Sequence, residues 1–194
     1  MAIVTIPTEA RRITDQAEIR SFLAVHNIHY EVWPLEDRVD PASAPEKILA
    51  AYAPEIEELK KRGGFVTADV IDIYPDTPNL TAMLDRFNKE HTHTEDEVRF
   101  ILQGSGVFHV HPHDTHSAPS AVFAIEVGGG DMISLPLGTR HWFDLCSDRR
   151  IRAIRLFQDM TGWTPYYLED GVHASYQPLC LGPAWVAGAG RTAL

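Results

Sequence analysis

The sequence predicts a mainly β protein, a sandwich or barrel of short strands with helices contributed by its N-terminal region. Two observations predict it. From His91 onward, short apolar runs are separated by glycine and proline, the grammar of an all-β sheet structure. Before that point the apolar residues recur at helical spacing behind capping signals. The chain has 194 residues, enough for one domain that hides roughly 70% of its unfolded surface. We expect a single domain over 1–194, with a helical region at about 1–64, a β core at about 65–165 and an irregular tail.

In order along the chain, Asp15 followed by Glu18 resembles a capping box, with Ile19, Phe22 and Leu23 as an apolar stripe behind it. Ser43 and Glu46 repeat the pattern, with Pro45 in the first turn. Pro54 breaks or restarts that helix and Gly63-Gly64 ends it. Largely helical character is expected through residue 90, apart from a strand at Asp69–Tyr74. Leu80, Met83, Leu84 and Phe87 mark a short amphipathic helix. The strands then read Val98–Leu102, Gly106–His111, Ala121–Val127, Met132–Leu135, Trp142–Leu145 and Ile151–Phe157. Gly104-Ser105-Gly106 and Gly128 to Asp131 stand between them as turns. The stretch from Gly182 to Leu194, rich in glycine and alanine, reads as a loose end.

The composition is 44% hydrophobic and 23% charged, with no apolar run long enough to span a bilayer. No secretory signal is legible at the N-terminus, and two cysteines without a CxxC give no disulfide framework. A cytoplasmic protein with reduced thiols is the expectation, Cys146 being read as a small buried hydrophobe. The net charge of −10 argues against nucleic acid as a partner. It also repels any anionic substrate, so a local metal ion or buried arginine must supply the attraction.

The chemistry lies in EHTHTEDEVRF, Glu90 to Phe100. On a strand, His91 and His93 share a face and can reach one ion. Glu97 is at even spacing from both, and His141 follows a proline-glycine turn in PLGTRHW. Three neutral imidazoles and one carboxylate suit a borderline divalent metal such as Fe, Ni, Mn, Co or Zn. Four protein ligands on an octahedral ion leave two positions for a chelating substrate or for O2. No GxGxxG and no P-loop is present, so no nicotinamide or flavin is implied.

These residues resemble the cupin superfamily. His91, His93, Glu97 and Gly104 fit its first motif, and Gly130, Pro136, Gly138 and His141 its second. Asp85 departs from the first motif's leading glycine and Leu145 from the second motif's final asparagine; neither position is a ligand. More narrowly, EHTHTEDEVRFILQGSGVFHV, with DVIDIYPDTPNLTAMLDRF before it and DMISLPLGTRHWFDL and AIRLFQDMTGW after it, is similar to the acireductone dioxygenase family over roughly 65–165. The resemblance implies a cupin-type double-stranded β-helix, or jelly-roll, barrel with flanking N-terminal helices. It implies one Fe(II) or Ni(II) per chain on His91, His93, Glu97 and His141. Arg99 would form and hold a substrate dianion, Glu90 would serve metal incorporation, and Asp96 would relay conformational change. Phe143 and Trp163 would lie near the pocket. The implied reaction is O2-dependent cleavage of the acireductone 1,2-dihydroxy-3-keto-5-methylthiopentene in methionine salvage. Iron gives formate and a 2-keto acid; nickel gives formate, CO and a shorter carboxylic acid. A cytoplasmic monomer acting on a small anionic enediol and O2, with no nucleic acid and no membrane, is expected.

Each assignment has a plainer competitor. Arg99 could be a surface salt bridge, Glu90 and Asp96 solvated carboxylates, and Phe143 and Trp163 simply core. Arg155 either faces the pocket or pairs structurally. His109, His111, His113 and His116, in one hairpin region, read first as an exposed polar loop and second as an additional surface metal site. His26 and His29 carry no pattern. The competing functions are a cupin isomerase, a dioxygenase for another small enediol or diketone, and a non-enzymatic metal-binding cupin.

Overall fold

The computed structural model describes residues 1–35, 38–113, 121–159 and 163–182. In chain order the elements are β1 (Ile3–Ile6), β2 (Arg11–Ile13), α1 (Gln16–Val25), β3 (His29–Val32), α2 (Pro45–Ala51), α3 (Ala53–Gly63), β4 (Thr67–Ile73), α4 (Leu80–Leu84), β5 (His91–Thr92), β6 (Glu97–Val110), β7 (Phe123–Gly128), β8 (Asp131–Leu135), β9 (His141–Leu145), β10 (Ile151–Phe157) and β11 (Tyr166–Tyr167). Short 3-10 turns occupy Pro7–Glu9 and Val172–Ser175.

Two antiparallel sheets share β6. One runs β11-β5-β9-β6-β7-β1-β2, the other β4-β10-β6-β8-β3. Residues Glu97–Phe100 pair with β8, whereas Gly106–Val110 pair with β7 and β9. The strand crosses between sheets at Gly104, where φ is +74°. Any side chain there would drive its Cβ into the Arg150 carbonyl, so only glycine fits. A register shift between Arg152 and Ala153 absorbs the same bend in β10. Gly104-Ser105-Gly106, read as a turn, is therefore the interior of a single long strand. A glycine inside a strand marks a bend as readily as an end.

Strand alternation divides the core in two. Ile101, Ile133, Ile151 and Ala153 point between the sheets, joining Val4, Phe108 and Ile125. Val98, Phe100, Met132, Ile154 and Leu156 point outward, where Ile48 of α2 and Ile56 and Leu59 of α3 cover them with Trp33 and Tyr52. Each such buried side chain contributes about 1.5–3 kcal/mol. The first half of β6 is thus buried on both faces and reads as a continuous run rather than an alternating one.

Asp15 caps α1 as its spacing predicts, accepting the Glu18 N–H at 2.9 Å. Gly64 ends α3 in the left-handed region, and Pro54 lies in its first turn. Other expectations need correction. The N-cap of α2 is Ala44, not Ser43; the Ser43 carbonyl instead accepts from Arg152 at 2.7 Å. Three strands interrupt the helical N-terminal region, and β1–β3 extend both sheets. The helix begun at Leu80 ends at Leu84, before Phe87. Cys146 and Cys180 form a disulfide, overturning the reading of reduced, unpaired thiols. The C-terminal segment folds back to bring their Cα atoms within 5.7 Å across 34 residues, which no local spacing signals. No helix among the described residues is long and apolar enough to cross a membrane.

Candidate metal centre

His91 opens β5 and His141 opens β9, and the two strands pair at those residues. Glu97 opens β6, and His93 lies in the connection between β5 and β6. Their ligand atoms all lie within 4.8 Å of one another, and all four groups are buried. Glu97 Oε2 is 3.1 Å from Nε2 of both His93 and His141.

The imidazoles are oriented from behind. Nδ1 of His91 meets the Lys89 carbonyl at 2.6 Å, that of His93 the Thr164 carbonyl at 2.9 Å, and that of His141 the Thr139 carbonyl at 2.8 Å. A carbonyl only accepts, so each Nδ1 carries the proton and donates it, leaving the Nε2 lone pair to face the common point. Nε2 of His91 and His93 are buried with no hydrogen-bond partner among the described residues. Burial, with the facing His141 imidazole, pushes the His91 pKa down to about 3, so its ring is neutral. Burial alone would raise the Glu97 carboxyl. The Arg99 guanidinium and the facing imidazoles override it and hold Glu97 well below the usual carboxylate range. Three buried lone pairs and a carboxylate aimed at one point require a cation. The donor set fits a borderline divalent transition metal.

The ligand-bearing turns are tied together. Gly138 donates its N–H to the His93 carbonyl at 2.9 Å, and Leu137 donates its N–H to Asp96 Oδ1 at 2.8 Å. Asp96 thus fixes the turn that delivers His141 against the segment that delivers His93 and Glu97. Glu90 is fully buried beside the ligand His91. It pairs with Arg140 at 2.9 Å, one residue before His141, and with His111 at 2.7 Å. Arg140 also pairs with Asp170.

Arg99 donates from Nε to Glu97 Oε1 at 2.7 Å and is itself buried. Its guanidinium is 4.7 Å from the Phe143 ring centroid, 5.1 Å from Trp163 and 5.6 Å from Phe108. Beyond it opens a cavity of about 510 Å³, which Arg99, Phe143 and Trp163 help line. Its walls include Ile71, Met83, Leu84 and Phe87. Arg155 does both things left open by its sequence position: it lines the cavity and pairs with Asp69 at 2.6 and 2.9 Å.

Among the described histidines of the hairpin, only His113 is exposed. His109 is buried and stacks on Trp142 at 4.9 Å, His111 engages Glu90, and His116 lies outside the described residues. Sequence reasoning missed Glu95 and Gln158. The buried Glu95 carboxylate accepts the N–H groups of Gln158 and Asp159 at 2.8 and 3.1 Å. Gln158 in turn accepts the Asp96 N–H at 3.0 Å. The run EDE offered alternation but nothing to separate a buried acceptor from a solvated acid.

A double-stranded β-helix barrel that turns three histidines and a glutamate inward onto one point is a metal-binding cupin. The ARD/ARD' family model matches residues 7–165. The chain is 38% identical over 175 residues to an acireductone dioxygenase of Picosynechococcus sp., covering 90% of this chain and 97% of that protein. It is likewise 38% identical over 183 residues to one from Exiguobacterium sibiricum, covering 90% and 99%. A solved structure, acireductone dioxygenase from Bacillus anthracis with a cadmium ion in its active center, is 36% identical with a TM-score of 0.77, covering 86% of this chain and 98% of that one. The chain belongs to the acireductone dioxygenase family, and it is a metal-dependent dioxygenase.

Proposed function

We propose that the enzyme cleaves the acireductone 1,2-dihydroxy-3-keto-5-methylthiopentene with O2 in methionine salvage. The observation that carries this reading is Arg99, which holds a metal-ligand carboxylate on one side and lines the cavity on the other. His91, His93, Glu97 and His141 would hold one Fe(II) or Ni(II). When bound, the metal supplies a Lewis-acid anchor that orients the enediolate and stabilises its charge. Arg99 commits Nε to Glu97, and its terminal amino groups make no other hydrogen bond among the described residues. They can donate to the substrate oxyanion, offsetting repulsion from a protein of net charge −10. Phe143 and Trp163 flank the guanidinium and fix its plane. The apolar wall of Ile71, Met83 and Leu84 suits a thioether tail and excludes water from it. Glu90 supports metal loading by pinning β5, and Asp96 couples the two ligand-bearing turns.

The test is O2 consumption by protein loaded separately with iron and with nickel, with the acireductone as substrate and product analysis. The reading requires formate and a 2-keto acid with iron, and formate, CO and a shorter acid with nickel. Loaded protein that consumes no O2 refutes it, as does a His141→Ala variant that retains full turnover. Faster turnover of a different enediol or diketone in a substrate panel would reassign the substrate and leave the metal centre standing.

A further inference from the structure

The barrel has a second built cavity, away from the metal centre, on the outer face of the sheet that contains β1 and β7. One rung of that sheet runs Arg12, Thr5, Ala124, His109, Trp142, residues paired in sequence from β2 to β9. The opposite face of these strands carries Val4, Ile125, Phe108 and Phe143 into the core, so this rung points outward. An outward rung is ordinarily solvated, yet His109 and Trp142 are only 2% and 1% exposed.

The cover is the segment 172–182. The Tyr176 ring lies 5.8 Å from Trp142 and 6.3 Å from His109. Leu181 and Gly182 donate their N–H groups to the Glu126 carboxylate, the latter at 2.8 Å. Cys180 is bonded to Cys146 at the end of β9. This strap is anchored at its far end but does not fill the space over β1, β2 and β7. A cavity of about 610 Å³ remains beneath it.

Thr5, Val122, Ala124 and His109 form its floor, Ser175 to Gln177 and Leu179 one side, and Pro7, Ala10, Arg11 and Arg12 the other. Among the described residues, two guanidinium groups line it, Arg11 and Arg12, and no carboxylate does. That is notable in a protein of net charge −10. Arg11 also pairs with Glu18 at 2.8 Å. His109 Nδ1 is buried without a hydrogen bond and lies 4.0 Å from Asp144 Oδ2. Burial pushes the His109 pKa down to about 4, so the ring is neutral and has one N–H to give. An unpartnered polar group at the floor of a cavity is costly unless something hydrogen-bonds to it.

We propose that this cavity is a second ligand site, for a small organic anion whose apolar body rests on Val122, Ala124 and Leu179 and whose charged group faces Arg11, Arg12 and His109. It is separate from the dioxygenase chemistry, sharing no lining residue with the catalytic cavity.

The probe is 8-anilinonaphthalene-1-sulfonate, titrated into the metal-loaded full chain and followed by fluorescence and calorimetry. One saturable site per chain is expected. Ala124→Phe, which fills the floor, should weaken it at least tenfold while O2-dependent turnover stays unchanged. Arg11→Gln with Arg12→Gln, both on exposed side chains, should weaken it at least fivefold, and this pair decides the matter if Ala124→Phe does not fold. The uncharged analogue N-phenyl-1-naphthylamine should bind at least tenfold more weakly than the sulfonate. The proposal is overturned by the absence of a saturable site, by binding indifferent to these substitutions, or by equal affinity for the neutral probe.

Discussion

Arg99→Gln separates the two jobs assigned to this residue. In the wild-type protein the Arg99 guanidinium lies 2.7 Å from Glu97, and both side chains are almost fully buried. Without bound metal, Arg99 is the permanently charged partner of that carboxylate, with the His93 and His141 imidazoles 3.1 Å away on its other side. Removing one partner of a buried pair costs about 3–5 kcal/mol, because the other charge is left uncompensated. For a chain of this size that lowers the melting temperature by roughly 6–20 °C. With a divalent metal bound, Glu97 regains a counter-charge and most of the loss should disappear. Differential scanning calorimetry of metal-free and metal-loaded protein measures the contrast directly. Catalysis should not recover with the metal. Charge-assisted hydrogen bonds contribute about 1.5–3 kcal/mol each, so loss of two lowers kcat/KM at least about a hundredfold. Arg99→Lys keeps the charge but not the planar fork, and should fall between. Equal destabilisation with and without metal, or a kcat/KM within a few-fold of wild type, would refute the reasoning.

Other outcomes follow from the same structure. Arg140→Met removes the guanidinium partner of the buried Glu90, leaving His111, and should weaken metal affinity about 10–100-fold in a chelator competition, with the four ligands intact. Reducing the Cys146–Cys180 disulfide opens a loop of 34 residues and should cost roughly 3–4 kcal/mol on the chain-entropy account, read as a drop in thermal midpoint. His109 has a folded pKa near 4 against 6.5 unfolded, so the unfolded chain binds its proton first as pH falls. Its burial therefore costs nothing at pH 8, about 2 kcal/mol at pH 5, and its full penalty below pH 4. His109→Asn should flatten that acid-side loss, and parallel wild-type and variant melting curves from pH 7 to 5 would contradict it.

The ligand set was legible in the sequence because metal sites are written in residue type and spacing. His91, His93 and Glu97 lie within one segment, and His141 follows a proline-glycine turn that recurs in its superfamily. The β core was legible for a similar reason: Ile151–Phe157 is bounded by the chain as it was by its composition. What failed depended on tertiary neighbours. Gly104-Ser105-Gly106 looks like a turn because glycine signals backbone freedom without saying whether the chain reverses or merely bends. Arg11 to Ile13 has no strand grammar of its own and becomes a strand only by pairing with β1. Cys146 and Cys180 meet only because the strap returns across the sheet. Glu95, Gln158 and the carbonyls of Lys89, Thr139 and Thr164 act through backbone groups, which every residue possesses and no composition reveals.

The alternation of β5 and β9 gives the site a physical unity that the ligand list alone does not express. His91 and His141 are paired and face inward, so the residues just before them, Glu90 and Arg140, belong to the reverse face. There they meet each other at 2.9 Å and reach His111 and Asp170. The same backbone pairing is thus clamped by an ion pair outside and a metal inside. The register of two short strands, one of them only two residues long, is too weakly specified by hydrogen bonds to hold imidazoles to the sub-ångström tolerance a metal demands. The pair between the buried Glu90 carboxylate and the half-buried Arg140 guanidinium can specify it, because a one-residue slip would take the guanidinium away from a fully buried carboxylate. The proposed part of Glu90 in metal loading therefore needs no contact with the metal: by holding Arg140 it would fix where His91 stands.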